Sequence, residues 1–500
     1  MILALDQGTT GGKALLIDGD GQIVARCGRE FTQHFPKPGW VEHDADEIWQ
    51  VTVGVAREAL ETAGVRGSDV KGIGIANQRE TVVAWDRASG EPLSRAIVWQ
   101  DRRTTERCRE LADQGLEQLV RERTGLTLDP YFSATKIEWM LRNVERLRGR
   151  RPADICFGTI DSWLAFKLTG RHVTDFTNAA RTMLFDIAAL AWDDRLCAIF
   201  GVDRDSLPEV LPSQGTFGDT AAPIFGGASI PVAGIVGDQQ AALFGQACLR
   251  PGSAKNTYGT GSFALMNVGD KPPAPVDGLL TTVAWGDRQG VSYAFEASVF
   301  VAGAAVQWLR DGLGLIADAG ETERLASSLA SNDGVYFVPA LTGLGSPYWD
   351  PHARGAIMGI TRGTTRAHLA RAALEAIAYQ TVDAVIAMQA ACDVGLRELH
   401  ADGGAVANNW LMQFQADVLG APVVVPAVTE TTAYGAGLTA GITVGMWSRD
   451  DVEGLWREDR RYEPRMTESH RNALIDQWSA TVRGVRERGT PDDGEGGGTV

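Results

Sequence analysis

One local pattern occurs near the start of each half of this 500-residue chain. In the first half, Ile2-Leu3-Ala4-Leu5, a Gly/Thr turn through residues 6–12 and Ala14-Leu15-Leu16-Ile17 follow one another. In the second, Lys255-Asn256-Thr257-Tyr258-Gly259-Thr260-Gly261-Ser262 separates apolar stretches in the same way. Short apolar runs punctuated by Gly, Asp and Thr predict a buried antiparallel meander, and Asp18-Gly19-Asp20-Gly21 turns the chain once more into Ile23-Val24-Ala25. A helix follows, with Asp44 at its N-cap, Glu47 three residues on, and Trp49, Val53, Ala56 and Leu60 on one apolar face. Residues 70–76 read as a buried strand. Residues 235–238 and 399–404 both read as runs ending in Gly and Asp before a helix. Such repetition predicts two related α/β lobes, each a sheet with helices around it. At 53.6 kDa the chain also exceeds what one hydrophobic core supports. The expected division is 1–249 and 250–487, with the boundary near Leu249-Arg250-Pro251-Gly252. Residues 488–500, rich in Gly, Asp and Glu, have nothing to bury and are expected to form a disordered tail.

Charge limits the partners. Forty-seven basic against 63 acidic residues give a net charge of −16, which argues against nonspecific nucleic-acid or anionic-membrane binding but leaves room for a local basic groove that receives a phosphate. The six cysteines are far apart, form no Cys-x-x-Cys pair and read as reduced, mostly buried small hydrophobes of a cytoplasmic protein; the seven histidines give no zinc spacing. The opening apolar run meets Asp6 at once, short of the about 7–15 apolar residues of a signal-peptide core. No stretch approaches the ~20 apolar residues of a membrane span. The expectation is a soluble, cytoplasmic chain.

Chemistry concentrates at the turns and strand ends. Glycine amides converge on an anion and threonine hydroxyls add donors. One such turn alone reads as an ordinary hairpin; two, alike in two similar lobes, point to opposed phosphate grips. Neither is a P-loop, because no Gly-Lys-Ser/Thr follows at the required spacing. Loose dinucleotide patterns at Gly259-Thr260-Gly261 with Ala264 and at Gly435-Ala436-Gly437 with Ala440 are set aside. The first leads into a strand-like run, and the second sits in a small-residue helix where close packing suffices. Asp6 and Asp238 each close an apolar run. Either reads as an ordinary turn aspartate, but Asp6 precedes a phosphate turn where magnesium needs an oxygen ligand. Asp238, in Gly237-Asp238-Gln239-Gln240, is placed to accept a proton from a substrate hydroxyl. Arg79-Glu80 is either a surface ion pair worth little or a fixed donor–acceptor set for a polyhydroxylated ligand. With 14 tryptophans in the chain, Trp99 and likewise Tyr131 read as core aromatics on composition alone.

Several longer stretches carry a resemblance. They include Leu5-Asp6-Gln7-Gly8-Thr9-Thr10, Lys37-Pro38-Gly39-Trp40-Val41-Glu42-His43-Asp44, Asn77-Gln78-Arg79-Glu80, Gly237 to Gln240 and Asn256 to Gly261. Further along stand Thr342-Gly343-Leu344-Gly345, Pro347-Tyr348-Trp349-Asp350 and Asp402-Gly403-Gly404-Ala405-Val406-Ala407-Asn408-Asn409. Together with Tyr131-x-Ser133-x-x-Lys136-Ile137-x-Trp139 and the stretch from Gly355 to Glu375, the chain resembles the carbohydrate kinase family of the actin-like ATPase superfamily, and within it the members that act on glycerol. The resemblance spans residue 2 to about 450. It implies two actin-like (ribonuclease H-like) α/β lobes, each a mixed sheet flanked by helices, with the active-site cleft between them. It also implies Mg²⁺- and ATP-dependent phosphorylation of glycerol to sn-glycerol 3-phosphate. By resemblance, Arg79, Glu80, Tyr131, Asp238 and Gln239 hold the triol, Trp99 and Phe263 form its apolar walls, Asp238 is the general base, and Asp6 lies with Asp238 at the magnesium. Thr9, Thr10, Gly11, Lys13 and Thr260 meet the nucleotide phosphates; Gly303, Gln307, Gly404 and Asn408 frame the rest of the nucleotide. Relatives form dimers and tetramers, so a homo-oligomer is expected.

Two departures stand out. Family members commonly carry Ser-Ser-Arg where this chain has Gly11-Gly12-Lys13, so hydroxyl donors and a bidentate arginine are lost. Some bacterial relatives bind the inhibitor fructose 1,6-bisphosphate on a Gly-Gly-Thr-Arg loop; here the stretch is Gly226-Gly227-Ala228-Ser229, which implies no such inhibition. The nearest rival reading is a pentulose (xylulose) kinase of the same family. A rival of another class is a non-catalytic ATP-binding module, which would not need Asp238 and its polar–aromatic surroundings.

Overall fold

The computed structural model describes residues 1–392 and 394–489. Its first sheet holds β1 (Ile2–Gln7), β2 (Gly11–Ile17), β3 (Ile23–Glu30), β4 (Gly72–Asn77) and β5 (Pro231–Gly237), with Gly218–Asp219 at the edge beyond β5. The second holds β6 (Ser253–Tyr258), β7 (Ser262–Gly269), β8 (Leu280–Gly286), β9 (Val291–Val299), β10 (Glu398–Gly403) and β11 (Val423–Pro426), with Glu458–Tyr462 at the edge. Spatial order is β3-β2-β1-β4-β5 in one and β9-β7-β6-β10-β11 in the other, with β8 outside β9. The senses also correspond. β1 and β6 each pair antiparallel with the next strand and parallel with β4 or β10, respectively. The paired α/β lobes expected from the repeated turn are present, and their topology agrees with the actin-like fold class.

The antiparallel meander forms because each apolar run is too short for a helix and ends in residues that turn. β1, β4 and β5 are parallel and in step: Asp6 lies beside Ala76, and Ala76 beside Val236. Their carboxyl ends therefore finish at one level, where open α/β sheets place their ligands. Helix α1 (Ala45–Ala63) begins where expected, the Asp44 carboxylate accepting from the amides of Asp46 and Glu47; Ala56 and Leu60 pack against this sheet, with Ile48, Val51 and Val55, while Val53 is buried outside that core. Trp49 only flanks that core.

Further helices are α2 (Asp238–Gly245), α3 (Arg366–Ala391), α4 (Asn409–Leu419), α5 (Thr431–Thr443) and α6 (Glu468–Gly489). α6 runs on through Arg488 and Gly489; residues 490–500, where the tail is expected, lie outside the described residues. Cys27, Cys108, Cys156, Cys197 and Cys248 are buried, as expected for small hydrophobes. Among the described residues no helix is long and apolar enough to cross a membrane.

α5 follows β11 of the second sheet in sequence but packs on the first, its Gly437 facing the side chains of Ile17 and Ala4. Here backbone meets backbone. A Cβ on Gly74 would sit 2.0 Å from the Ala436 carbonyl oxygen, and one on Gly435 1.9 Å from that of Ala241 in α2. Close packing, not a dinucleotide, accounts for the small residues of α5. Gly435→Ala should therefore lower stability by about 3 kcal/mol through overpacking, outweighing the about 1 kcal/mol that alanine adds to helix propensity. The midpoint of urea unfolding checks this, and an unchanged midpoint would show that α2 and α5 part freely.

Candidate active site

The three aligned strand ends deliver the first group of side chains. β4 leads into Gln78-Arg79-Glu80, and β5 delivers Asp238 as the first residue of α2. Arg79 and Glu80 are not a surface pair: both side chains are 2% exposed. The Arg79 guanidinium grips Glu296 with two parallel bonds, Nη1 to Oε2 at 2.6 Å and Nη2 to Oε1 at 2.9 Å, and Nη1 also donates to Gln240 Oε1 at 3.1 Å. Its Nε lies 3.1 Å from Asp238 Oδ1. Glu80 sits at φ +62°, the left-handed region that a glutamate rarely adopts. Neighbours hold it there: the Thr81 amide donates to the Arg79 carbonyl at 2.7 Å and Ser133 Oγ to that of Glu80 at 3.0 Å.

Asp238 remains partly open, at 27% side-chain exposure. Burial raises its pKa, opposed by Arg79 and Lys255, and the net position is above the ordinary carboxylate range. Burial likewise raises Asp6 to about 7; Lys13, its cross-strand neighbour on β2, opposes the shift and Asp238 adds to it. The two expected carboxylates thus face one cleft and sense each other's charge.

In the β1–β2 turn, the Gly8 amide donates to the Gly11 carbonyl at 2.9 Å, while Thr10 and Lys13 are exposed. A Cβ on Gly11 would lie 2.7 Å from the Arg29 carbonyl oxygen, so glycine here lets β3 approach closely. Thr9 Oγ1 accepts from the Trp99 indole at 2.9 Å. The Trp99 ring meets Tyr131 edge to face with centroids 5.5 Å apart. Tyr131 is held by buried Lys136, whose Nζ donates to the carbonyls of Pro130, Tyr131 and Phe132 at 2.6, 2.5 and 2.9 Å. Trp99→Phe keeps an aromatic face but removes the indole donor, and should raise KM for the polyol expected from the resemblance by about 10-fold, the worth of one hydrogen bond of about 1.4 kcal/mol. Steady-state kinetics checks this; an unchanged KM would leave that bond without function.

The second sheet closes the cleft from the other side. Lys255 pairs with Leu265 and Leu265 with Glu296, while Thr257 pairs with Phe263 and Phe263 with Ser298. Directly opposed residues share a face, so Lys255, Thr257, Phe263 and Glu296 all project to one side. Phe263, half-buried, joins the site by this register. Lys255 Nζ donates to Gln239 Oε1, beside Asp238, and to Thr257 Oγ1 at 3.0 Å. Burial lowers Lys255 to about 8 against the pull of Asp402 and Asp238.

A cavity of about 360 Å³ opens at the ends of β6 and β10, which run in step with Tyr258 beside Gly403. Thr260, Gly303, Gln307, Gly404 and Asn408, the five residues expected at the nucleotide from this side, all line it. Leu374 and Ile377 give it an apolar wall. Gly303 is confined, because a Cβ there would lie 2.6 Å from the Gly259 carbonyl oxygen. Asn408 caps α4, accepting from the Leu411 amide at 2.9 Å.

The sequence did not single out Glu296, Arg181, Gln240 or the Lys255 ammonium. A signal existed for the first two: Ala294-Phe295-Glu296-Ala297 and Ala179-Ala180-Arg181 each set one charge inside an apolar run. Such a charge must find a buried partner.

Comparison with known proteins agrees with this geometry. The N-terminal domain of the FGGY family of carbohydrate kinases matches residues 1–245, and its C-terminal domain matches residues 254–444. A glycerol kinase of Deinococcus radiodurans is 54% identical over 501 residues, covering 99% of each chain. The crystal structure of Plasmodium falciparum glycerol kinase with ADP superimposes with a TM-score of 0.92 at 36% identity, over 97% of this chain and 98% of that one. A xylulose kinase from Rhodospirillum rubrum gives a TM-score of 0.88 at 25% identity, over 97% and 99%.

Proposed function

The chain belongs to the FGGY family of carbohydrate kinases, and we propose that it transfers the γ-phosphoryl group of ATP to a terminal hydroxyl of glycerol, giving sn-glycerol 3-phosphate and ADP. The observation that carries this reading is the partly open Asp238 carboxylate, with the Nε of buried Arg79 at 3.1 Å, at the aligned strand ends that also carry Asp6 and the first Gly/Thr turn.

Glycerol is small, neutral and well hydrated, so a site must replace water's hydrogen bonds nearly one for one. Arg79, Glu80, Tyr131, Gln239 and Asp238 supply donors and acceptors, and Trp99 and Phe263 take the C–H faces. Asp238 accepts the proton of the attacking hydroxyl as its oxygen bonds to the γ-phosphorus and the bond to the bridging oxygen of ADP breaks. Burial above the ordinary carboxylate range makes it a better proton acceptor than a surface aspartate. Thr9, Thr10, Gly11 and Lys13 meet the phosphates from one lobe and Thr260 from the other; Gly303, Gln307, Gly404 and Asn408 hold the rest of the nucleotide. We take residues 1–249 and 250–487 as the two lobes of a cytoplasmic homo-oligomer.

Magnesium fits the carboxylates present. Among the described residues no three His, Cys, Asp or Glu side chains gather to hold a metal by themselves. Asp6 and Asp238 offer instead the one or two carboxylates that Mg²⁺ uses alongside phosphate oxygens. Bound there, the ion neutralises charge on the transferring phosphate.

Release of ADP, coupled to identification of the product, tests the reading over glycerol, dihydroxyacetone, xylulose and ribulose. Glycerol should give the highest kcat/KM and glycerol 3-phosphate as product. Release of ADP indifferent to glycerol would overturn the proposal, and preference for a pentulose would reassign the substrate.

A further inference from the structure

Two buried charged side chains at the cleft have no part in the roles above. Glu296 is the lone carboxylate of β9, completely buried and flanked by Phe295 and Ala297, which face the opposite side of the sheet. Arg181 comes from the first lobe and is also completely buried. We propose that Glu296 is a positioning residue through which the second sheet assembles the polyol site of the first lobe, with Arg181 as its relay. This inference rests on the glycerol reading.

Three contacts carry it. Glu296 Oε2 and Oε1 hold Arg79 at 2.6 and 2.9 Å, and Oε1 also accepts from Arg181 Nη2 at 3.1 Å. Arg181 in turn donates from Nε to Glu80 Oε1 at 2.6 Å. Its guanidinium carbon lies 5.5 Å from the centre of the Tyr131 ring. A single carboxylate of one lobe thus reaches Arg79 directly, and Glu80 and Tyr131 through one intermediary. The bidentate grip fixes the plane of the Arg79 guanidinium, which turns its Nε edge toward Asp238. Arg79, Arg181, Glu80 and Glu296 also sum to zero charge. Asp238 therefore meets Arg79 through Nε alone, at 3.1 Å, while Glu296 holds the other edge of the guanidinium. Removing the charge of Glu296 leaves two arginines against Glu80, and Arg79 is then free to rotate onto Asp238. The triol loses its fixed partners while the nucleotide cavity, lined by other residues, is untouched.

Glu296→Gln preserves volume and one acceptor. It should raise KM for glycerol by about 10–100-fold, the range for hydrogen bonds to charged groups, with KM for ATP within twofold and ADP affinity retained. Glu296→Asp, which restores the charge on a shorter stem, should recover part of the loss. A glycerol KM within twofold of the parent in Glu296→Gln would overturn the inference. So would a parallel fall in glycerol and ATP affinity, which marks a merely structural role. If Glu296→Gln does not fold, as judged by ADP binding, Glu296→Asp alone carries the comparison, with an expected glycerol KM rise of about 3–10-fold; no selective rise would again overturn it. A parent chain that releases no ADP in response to glycerol would instead sink the glycerol reading.

Discussion

Asp238→Asn is expected to lower kcat by about 10²–10⁴-fold, the usual worth of a positioned general base, with nucleotide affinity unchanged within a factor of two. The substitution is nearly isosteric. An asparagine oxygen can still accept from the Gln239 amide, now 2.6 Å from Oδ1, and still face Arg79 Nε. What disappears is the proton acceptor and one negative charge at the cleft. Phosphoryl transfer through a loose transition state calls on the base late, which would place the result toward the lower end of the range. Single-turnover kinetics with saturating glycerol isolates the chemical step from binding. Near-normal turnover would remove Asp238 from the mechanism.

Arg79→Met should be the most damaging substitution for stability near the cleft, at about 3–5 kcal/mol, because it leaves carboxylates buried with too little positive charge. Glu296 is the reason. Burial alone would raise its pKa, but Arg181 and Arg79 hold it down to about 2 from the ordinary 4.5. A carboxyl depressed in this way stabilises the fold above its unfolded pKa and loses that contribution as pH falls from about 4.5 toward 2. Without Arg79 the depression shrinks, so the variant should also gain less stability than the parent as pH rises through that window. Arg66→Met is the control: its partner Asp69 is a neighbour three residues on, Arg66 is 82% exposed, and stability should not move. Urea unfolding of both variants across pH 3–7 decides the matter. Equal small effects would mean that the buried lattice relaxes around its own vacancy.

Much of the fold was legible because it rests on punctuation. The strand–turn–strand starts, the Asp44 cap and the paired lobes follow from where Gly, Thr and Asp interrupt apolar runs, and each is a local matter. The packing of α5 onto the first sheet was not legible, since it joins residues 431–443 to residues near the start of the chain. Only the glycines hinted at an unusually close approach. The resemblance supplied the expected site residues; the structure sets Asp6, Arg79, Glu80 and Asp238 at or just beyond strand ends and Thr260, Gly303, Gln307, Gly404 and Asn408 along the cavity. Their supports were harder to see. Lys136 and Ser133 stood in a quoted pattern without a reason, which their bonds to the carbonyls of residues 130–132 and of Glu80 now provide. Glu296 and Arg181 meet across 115 positions of chain, and no spacing rule reaches that far.

The indole of Trp99 and the hydroxyl of Thr9 join the proposed polyol wall to the proposed phosphate turn. A ligand that stilled either member would lower the cost of ordering its neighbour, and the two affinities would then rise by the same factor. That single strut would make idle hydrolysis a matter of occupancy, settled before any bond is broken.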